Sequence, residues 1–229
     1  MTLLYQPFRA LARFCFNVFG RMEVTGRECV PPYGPLIVVA NHVSYNDPPV
    51  LVPSISRPLD FLGKKELFGN PISRFIMREF RVHPLDRFGT GVDAMRIAID
   101  LLAQDRAVVI FPEGHRSPDH AMRAAKSGAA FLAIKTQAPI LPVGIYGTEK
   151  FSVKRIALPL CRFHVNIGQP FTPPVMEGRI SRDVVNSVQT MIMGRIAALL
   201  PEEYRGVYAL GNTRGLQEKP GGRVTLGQD

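Results

Sequence analysis

A histidine and an aspartate with four residues between them, in Asn41-His42-Val43-Ser44-Tyr45-Asn46-Asp47, are the first side chains whose types and spacing suit catalysis. Across a turn, the carboxylate can fold back onto the imidazole, fix its tautomer and stabilise the imidazolium that forms when the ring takes a proton. The other ring nitrogen can then deprotonate a hydroxyl, general-base work that contributes roughly 10²–10⁴-fold. A structural histidine beside an aspartate that caps a helix satisfies the same spacing, and one aspartate can serve in both ways. A second cluster, Phe111-Pro112-Glu113-Gly114-His115-Arg116-Ser117, packs an acid, a glycine and a cation into one turn. Gly114 permits close approach of backbone to a ligand. Arg116 can grip a phosphate through two N–H groups. Taken alone, this is also the composition of an ordinary polar turn.

Two further segments are weaker. Residues 64–87 carry six cations (Lys64, Lys65, Arg74, Arg78, Arg81 and Arg87) against Glu66, Glu79 and Asp86. They suit a phosphate site, a membrane face or a solvated surface. Ala138-Pro139-Ile140-Leu141-Pro142-Val143-Gly144 reads as a tight turn into a core strand.

The elements that must position these residues alternate. Leu36–Ala40 is a short apolar run leading into Asn41-His42, and residues 107–111 lead in the same way into Pro112-Glu113. Both read as buried strands. Pro48 after Asp47 predicts a helix start with Asp47 as N-cap. Strands are expected at 59–63, 82–85, 140–146 and 163–167, and helices at 71–80, 91–103, 127–136 and 181–199. This alternation predicts an α/β fold: a single layered domain with a mixed, mostly parallel sheet flanked by helices. Sites in such folds gather where strands end. Residues 3–20 predict an amphipathic helix, with Gln6, Arg9, Arg13 and Asn17 as a polar stripe and Phe8, Leu11, Ala12, Cys15, Phe16 and Phe19 over much of the rest. Such a helix suits the headgroup boundary of a membrane, or else packs on the protein's own core. The expected organisation is an anchoring helix over 1–25, a catalytic domain over 26–205 and a loose, glycine-rich tail over 206–229.

Composition narrows the partners. The 229 residues carry a net charge of +9, which favours polyanions such as anionic headgroups, phosphorylated substrates or nucleic acid. No RNA-binding aromatic-basic motif or recognition module supports nucleic acid. Cys15, Cys29 and Cys161 are odd in number and lack metal-ligand spacing, so no disulfide and no zinc site is expected. No apolar run reaches the length of a spanning helix, and the N-terminus lacks a tidy cleavage site for secretion.

In order and spacing the motifs resemble the glycerolipid acyltransferase family, and within it the bacterial 1-acyl-glycerol-3-phosphate acyltransferases. The resemblance rests on N-H-x-x-x-x-D, then K-x-E-L with a D-R turn, then F-P-E-G-x-R-S, then P-I-x-P-V, over residues 30–147. It implies His42 as base and Asp47 as its partner. Arg87, Glu113, Gly114 and Arg116 would hold the phosphate-bearing acceptor, with Lys126 as a weaker site candidate. It further implies direct attack of the acceptor hydroxyl on an acyl-CoA or acyl-carrier-protein thioester, with no acyl-enzyme, no metal and no cofactor. Phosphatidic acid would be the product, made at the cytoplasmic face of a bacterial inner membrane. Where the family's third motif usually has threonine this chain has His115, which leaves the acceptor's identity open to another lyso-lipid. An anionic-membrane-binding module without catalysis is the remaining reading, and the intact His42 and Asp47 speak against it.

Overall fold

Leu36, Val38 and Ala40 alternate with Ile37 and Val39 along one strand, and every one of them is buried. A strand that is apolar on both faces must lie inside a sheet covered on both sides. The computed structural model, which describes residues 4–86, 91–150, 161–175 and 180–209, has that arrangement. Seven strands form one sheet: β1 (Arg21–Thr25), β2 (Leu36–Ala40), β3 (Leu59–Lys64), β4 (Val82–Leu85), β5 (Ala107–Ile110), β6 (Ile140–Tyr146) and β7 (Arg162–Ile167). Their order is β1-β7-β6-β2-β5-β3-β4. The five strands from β6 to β4 run parallel, while β7 pairs antiparallel with β6 and parallel with β1. Pro84 sits on β4, an edge strand, where its missing N–H costs no ladder bond.

Helices cover both faces. Leu36, Val38 and Ala40 pack with α1 (Tyr5–Phe19) and α2 (Asp47–Ser54). Ile37 and Val39 pack with α4 (Gly91–Leu102), α5 (Gly128–Thr136) and α6 (Arg182–Ala197). The short α3 (Pro71–Glu79) stands beside the β4 edge and is capped by Asn70, whose side chain accepts from the Ser73 N–H.

Two expectations from sequence need correction, the cap of α2 and the start of the tail, and two features go beyond them. Asp47 is the first residue of α2 and not its N-cap; its carboxylate turns back to the preceding loop. The N-terminal helix divides its apolar residues between two surroundings. Tyr5 and Phe16 are buried in the core, and the Tyr5 hydroxyl accepts from the Leu59 N–H, whereas Leu4, Leu11, Phe14 and Val18 are exposed. The four exposed residues, spaced i, i+7, i+10 and i+14, share a face apart from the buried ones. Strand β1 had no apolar run to announce it. The tail does not begin at 206: Gly206–Tyr208 form a 3₁₀ turn, the Val207 N–H donates to Met122 O, and the Tyr208 hydroxyl accepts from the Ala125 N–H.

Candidate active site

The parallel strands β2 and β5 are neighbours, so the turns that leave their C-terminal ends emerge side by side. Three contacts join those turns. The His42 N–H donates to Glu113 Oε1 at 3.1 Å, the Ser117 N–H donates to His42 O at 2.8 Å, and the His42 ring stacks on Phe111 with centroids 4.2 Å apart. Two clusters separated by about seventy residues of chain are therefore one structural unit.

Asp47 is fully buried and receives four donors. Oδ2 accepts from His42 Nδ1 at 2.7 Å and from the Val43 and Ser44 N–H groups at 2.8 Å each; Oδ1 accepts from Thr148 Oγ1 at 2.5 Å. With acceptors only on its carboxylate, Nδ1 carries the ring proton and Nε2 keeps its lone pair. The His42 side chain retains 16% of its exposure, enough for a substrate to reach the ring. Asn41 supports the turn from behind: its side-chain amide donates to Ile145 O and accepts from the Ile145 N–H, both at 2.8 Å, tying the end of β2 to β6. Asn46 reaches Thr148 O at 3.1 Å.

Glu113, expected from sequence to hold a ligand, is buried. Its two oxygens accept from the backbone N–H groups of His42 and Arg123. It therefore braces the loops around the histidine. Burial pushes its carboxyl up to about 7, against the two N–H bonds that favour the charged form. Gly114 closes the turn with φ +77°, its N–H donating to Phe111 O at 3.0 Å. A side chain there would also meet Lys126, whose Cε and Nζ lie 3.0 Å from where a Cβ would stand. Lys126 is exposed above this turn, with its own N–H donating to Pro112 O. Arg116 reaches across to the other motif, its guanidinium carbon 3.3 Å from the centre of the Tyr45 ring. A guanidinium held over an aromatic face still has N–H groups to offer an oxyanion. His115 is exposed, with Nε2 3.1 Å from an Arg123 guanidinium nitrogen. Arg87 lies outside the described residues; β4 stops just before it, and Asp86 pairs with Lys65 at 2.9 Å.

His42, Asp47, Glu113, Gly114, Arg116 and Lys126 are thus gathered around two adjoining turns. Sequence reasoning missed Thr148, the fourth donor to Asp47, as well as the Asn41 clamp and the Tyr45 platform. Thr148 lies 101 residues beyond its partner, and nothing local marks it. Asn41 and Tyr45 stand inside the first motif, where a polar residue ending a buried strand and an aromatic one in a turn were visible signals.

Comparison with known proteins decides the family. The model of the family described as Acyltransferase matches residues 21–146, a segment that contains both turns. The chain belongs to the acyltransferase family. Among acyltransferases it is similar to the 1-acyl-sn-glycerol-3-phosphate acyltransferase of Borreliella burgdorferi, 31% identical over 59% of this chain and 55% of that protein. The human 1-acyl-sn-glycerol-3-phosphate acyltransferase alpha is 33% identical over 59% of this chain and 49% of its own length. The chain therefore spans about half the length of the curated relatives it matches. In three dimensions it is similar to the crystal structure of the 1-acyl-sn-glycerophosphate acyltransferase PlsC from Thermotoga maritima. The TM-score is 0.66 at 26% identity, covering 82% of this chain and 76% of that one.

Proposed function

We propose that this acyltransferase moves a fatty acyl group from an acyl thioester to the free hydroxyl of 1-acyl-glycerol-3-phosphate, giving phosphatidic acid. The reading rests on one observation above others: Asp47, held by four donors, fixes Nδ1 of His42 and leaves Nε2 uncommitted on a ring that stays partly exposed. Nε2 takes the proton of the acceptor hydroxyl as its oxygen adds to the thioester carbonyl. The tetrahedral intermediate collapses with breakage of the C–S bond, and the departing thiolate takes the proton from Nε2. Asp47 stabilises the transient imidazolium. The products are an ester and a free thiol, and the reaction as written needs no metal, no cofactor and no acyl-enzyme. Arg116 is assigned to the acceptor phosphate and Lys126 to the same charged neighbourhood; Arg87, which the resemblance also implies there, lies outside the described residues. The choice of acceptor is supported by the names of the relatives, and the ring of His115 makes other lyso-lipids worth testing beside it.

The same reading places the protein on an anionic membrane surface at the cytoplasmic face, where donor and lipid acceptor meet. Leu4, at the N-cap of α1, and Leu11, Phe14 and Val18 on the helix are exposed, and so are Leu67, Ile72 and Phe75 around α3. Phe8 and Phe75 join the two patches with ring centroids 6.5 Å apart. An apolar face with cations nearby suits the headgroup boundary. Among the described residues no helix is long and apolar enough to cross a membrane. The test is incubation of the purified chain with a panel of lyso-lipids and with acyl-CoA or acyl carrier protein, read by mass spectrometry. Diacyl product from 1-acyl-glycerol-3-phosphate ahead of the other acceptors is expected; preference for a different lyso-lipid would reassign the acceptor.

A further inference from the structure

Beside the free edge of β4 lies an open cleft of about 1060 Å³ that the catalytic turns do not use. Five cations line it: Lys65, Arg74, Arg78, Arg81 and Arg106. Lys65 is paired with Asp86, and Arg81 and Arg106 converge with His83 on the buried carboxylate of Asp60. Two carboxylates therefore face five cations. Among the described residues Arg74 and Arg78 form no ion pair, and both are exposed along one side of α3. Phe68 adds a half-buried aromatic wall. Such a cleft attracts phosphate, and its size is that of a site for a nucleotide-bearing ligand.

Position decides whose phosphate. The cleft runs along β4, from Arg81 and Arg106 at the N-terminal ends of β4 and β5 to Lys65 and Asp86 at the C-terminal ends of β3 and β4; these strands run parallel to β2, so its Lys65–Asp86 end lies at the same end of the sheet as His42. Measured across the sheet, β4 stands three strands from β2, so even the near end of the cleft is at least about 14 Å from β2 at an interstrand spacing of about 4.8 Å. The phosphate of 1-acyl-glycerol-3-phosphate is only a few bonds from the hydroxyl that His42 must deprotonate, so it cannot bridge that distance. In a thioester donor the phosphate and the sulfur are joined by the pantetheine arm. Its roughly thirteen bonds correspond to about four residues of extended chain, some 14–16 Å.

We propose that this cleft seats the phosphopantetheine phosphate of the acyl donor, with Arg74 and Arg78 as its main contacts, while the thioester lies at His42. The assignment rests on the acyl-transfer reading and adds the donor's binding site to it. Phosphopantetheine is common to coenzyme A and to acyl carrier protein, so the experiment carries both. Arg74→Glu with Arg78→Glu is compared with wild type and with a control of equal charge change, Lys135→Glu with Arg182→Glu, two exposed positions away from the cleft. KM is measured for acyl-CoA, for acyl carrier protein and for the phosphate-free acyl-N-acetylcysteamine thioester, with a short-chain soluble acceptor. Binding of free coenzyme A is measured by calorimetry.

In the cleft variant KM for both phosphorylated donors and Kd for coenzyme A should rise by at least about tenfold. KM for the phosphate-free thioester, the acceptor's KM and the control variant should stay within about twofold of wild type. A rise for acyl-CoA alone supports the cleft and assigns it to the nucleotide donor; a rise for the carrier protein alone assigns it to the protein-borne phosphate. No change in either donor's KM or in coenzyme A binding overturns the proposal. So does an equal loss with the phosphate-free thioester, or a variant whose sole defect is weaker sedimentation with anionic vesicles, which would give the cleft to lipid headgroups. Failure of the wild type to turn over any of the thioesters would instead count against acyl transfer, with coenzyme A binding still reporting on the cleft.

Discussion

Replacing Asp47 by asparagine separates the charge of the carboxylate from its geometry. The Val43 and Ser44 N–H groups both point at Oδ2, so the amide oxygen of an asparagine settles there and continues to accept from His42 Nδ1. The amide NH₂ then faces Thr148, whose hydroxyl can turn and accept in place of donating. Tautomer and ring position are kept, and the negative charge is lost. Unit charges about 4 Å apart attract by about 4 kcal/mol at an effective dielectric constant of 20. The histidine is 16% exposed, and solvent lowers that figure. A loss of about 3 kcal/mol corresponds to roughly 10²-fold in rate. Asp47→Ala should do more, because it also strips partners from two N–H groups and a buried hydroxyl, at about 1–3 kcal/mol each. The assay is thiol release at saturating donor and acceptor, with melting curves on the same samples. Asp47→Asn should melt close to wild type with kcat down about 10²-fold, and Asp47→Ala should lose both stability and rate. A folded Asp47→Asn protein with kcat within about threefold of wild type would refute the role of the carboxylate in stabilising an imidazolium.

Glu113 gives a pH prediction. Its carboxyl is raised to about 7 from an ordinary 4.5, so the folded state binds this proton more tightly than the unfolded chain does. The stabilisation, at most about 3 kcal/mol, is present in full below the unfolded value and is lost as pH rises through about 7. Glu113→Gln cannot titrate, so the melting advantage of wild type over this variant should shrink between about pH 5 and pH 8; a constant difference would contradict the raised value. Arg116→Lys can neither hold a guanidinium over Tyr45 nor present a planar fork, and it should raise KM for the acceptor more than for the donor; equal effects on both count against an acceptor site there. Leu11→Glu with Phe14→Glu, both exposed on α1, should weaken sedimentation with anionic vesicles while sparing turnover of a short-chain soluble acceptor. Unchanged sedimentation would remove α1 from the membrane contact.

What the sequence revealed depended on how local each signal was. β2 and β6 were legible because a strand buried on both faces reads as an unbroken apolar run, and the motif after β2 announced its own turn. β1, with the sequence Arg-Met-Glu-Val-Thr, is half exposed at the sheet's edge and gains its place by pairing with β7, some 140 residues away. No local pattern carries that information. The same holds for Thr148 against Asp47. Asp47 lies against His42, as the spacing suggested, but does not also cap α2, because a carboxylate before a proline serves a preceding loop as readily as a following helix. The helix α1 was legible as amphipathic, but which apolar residues face the core depends on where Phe163 and α2 stand. The cations of residues 64–87 were visible as a charge excess; their convergence on a cleft needed the sheet edge and Arg106 from the loop before β5.

The central claim is that Nε2 of His42 takes the proton of the acceptor hydroxyl, and the measurement that bears on it most directly is kcat of His42→Ala with both substrates saturating. The histidine's backbone bonds to Glu113 and Ser117 do not involve its ring, so the variant should fold, melt near wild type and still bind the acceptor. Turnover should fall by roughly 10²–10⁴-fold. A folded His42→Ala protein that transfers acyl groups at a rate near wild type would contradict the account.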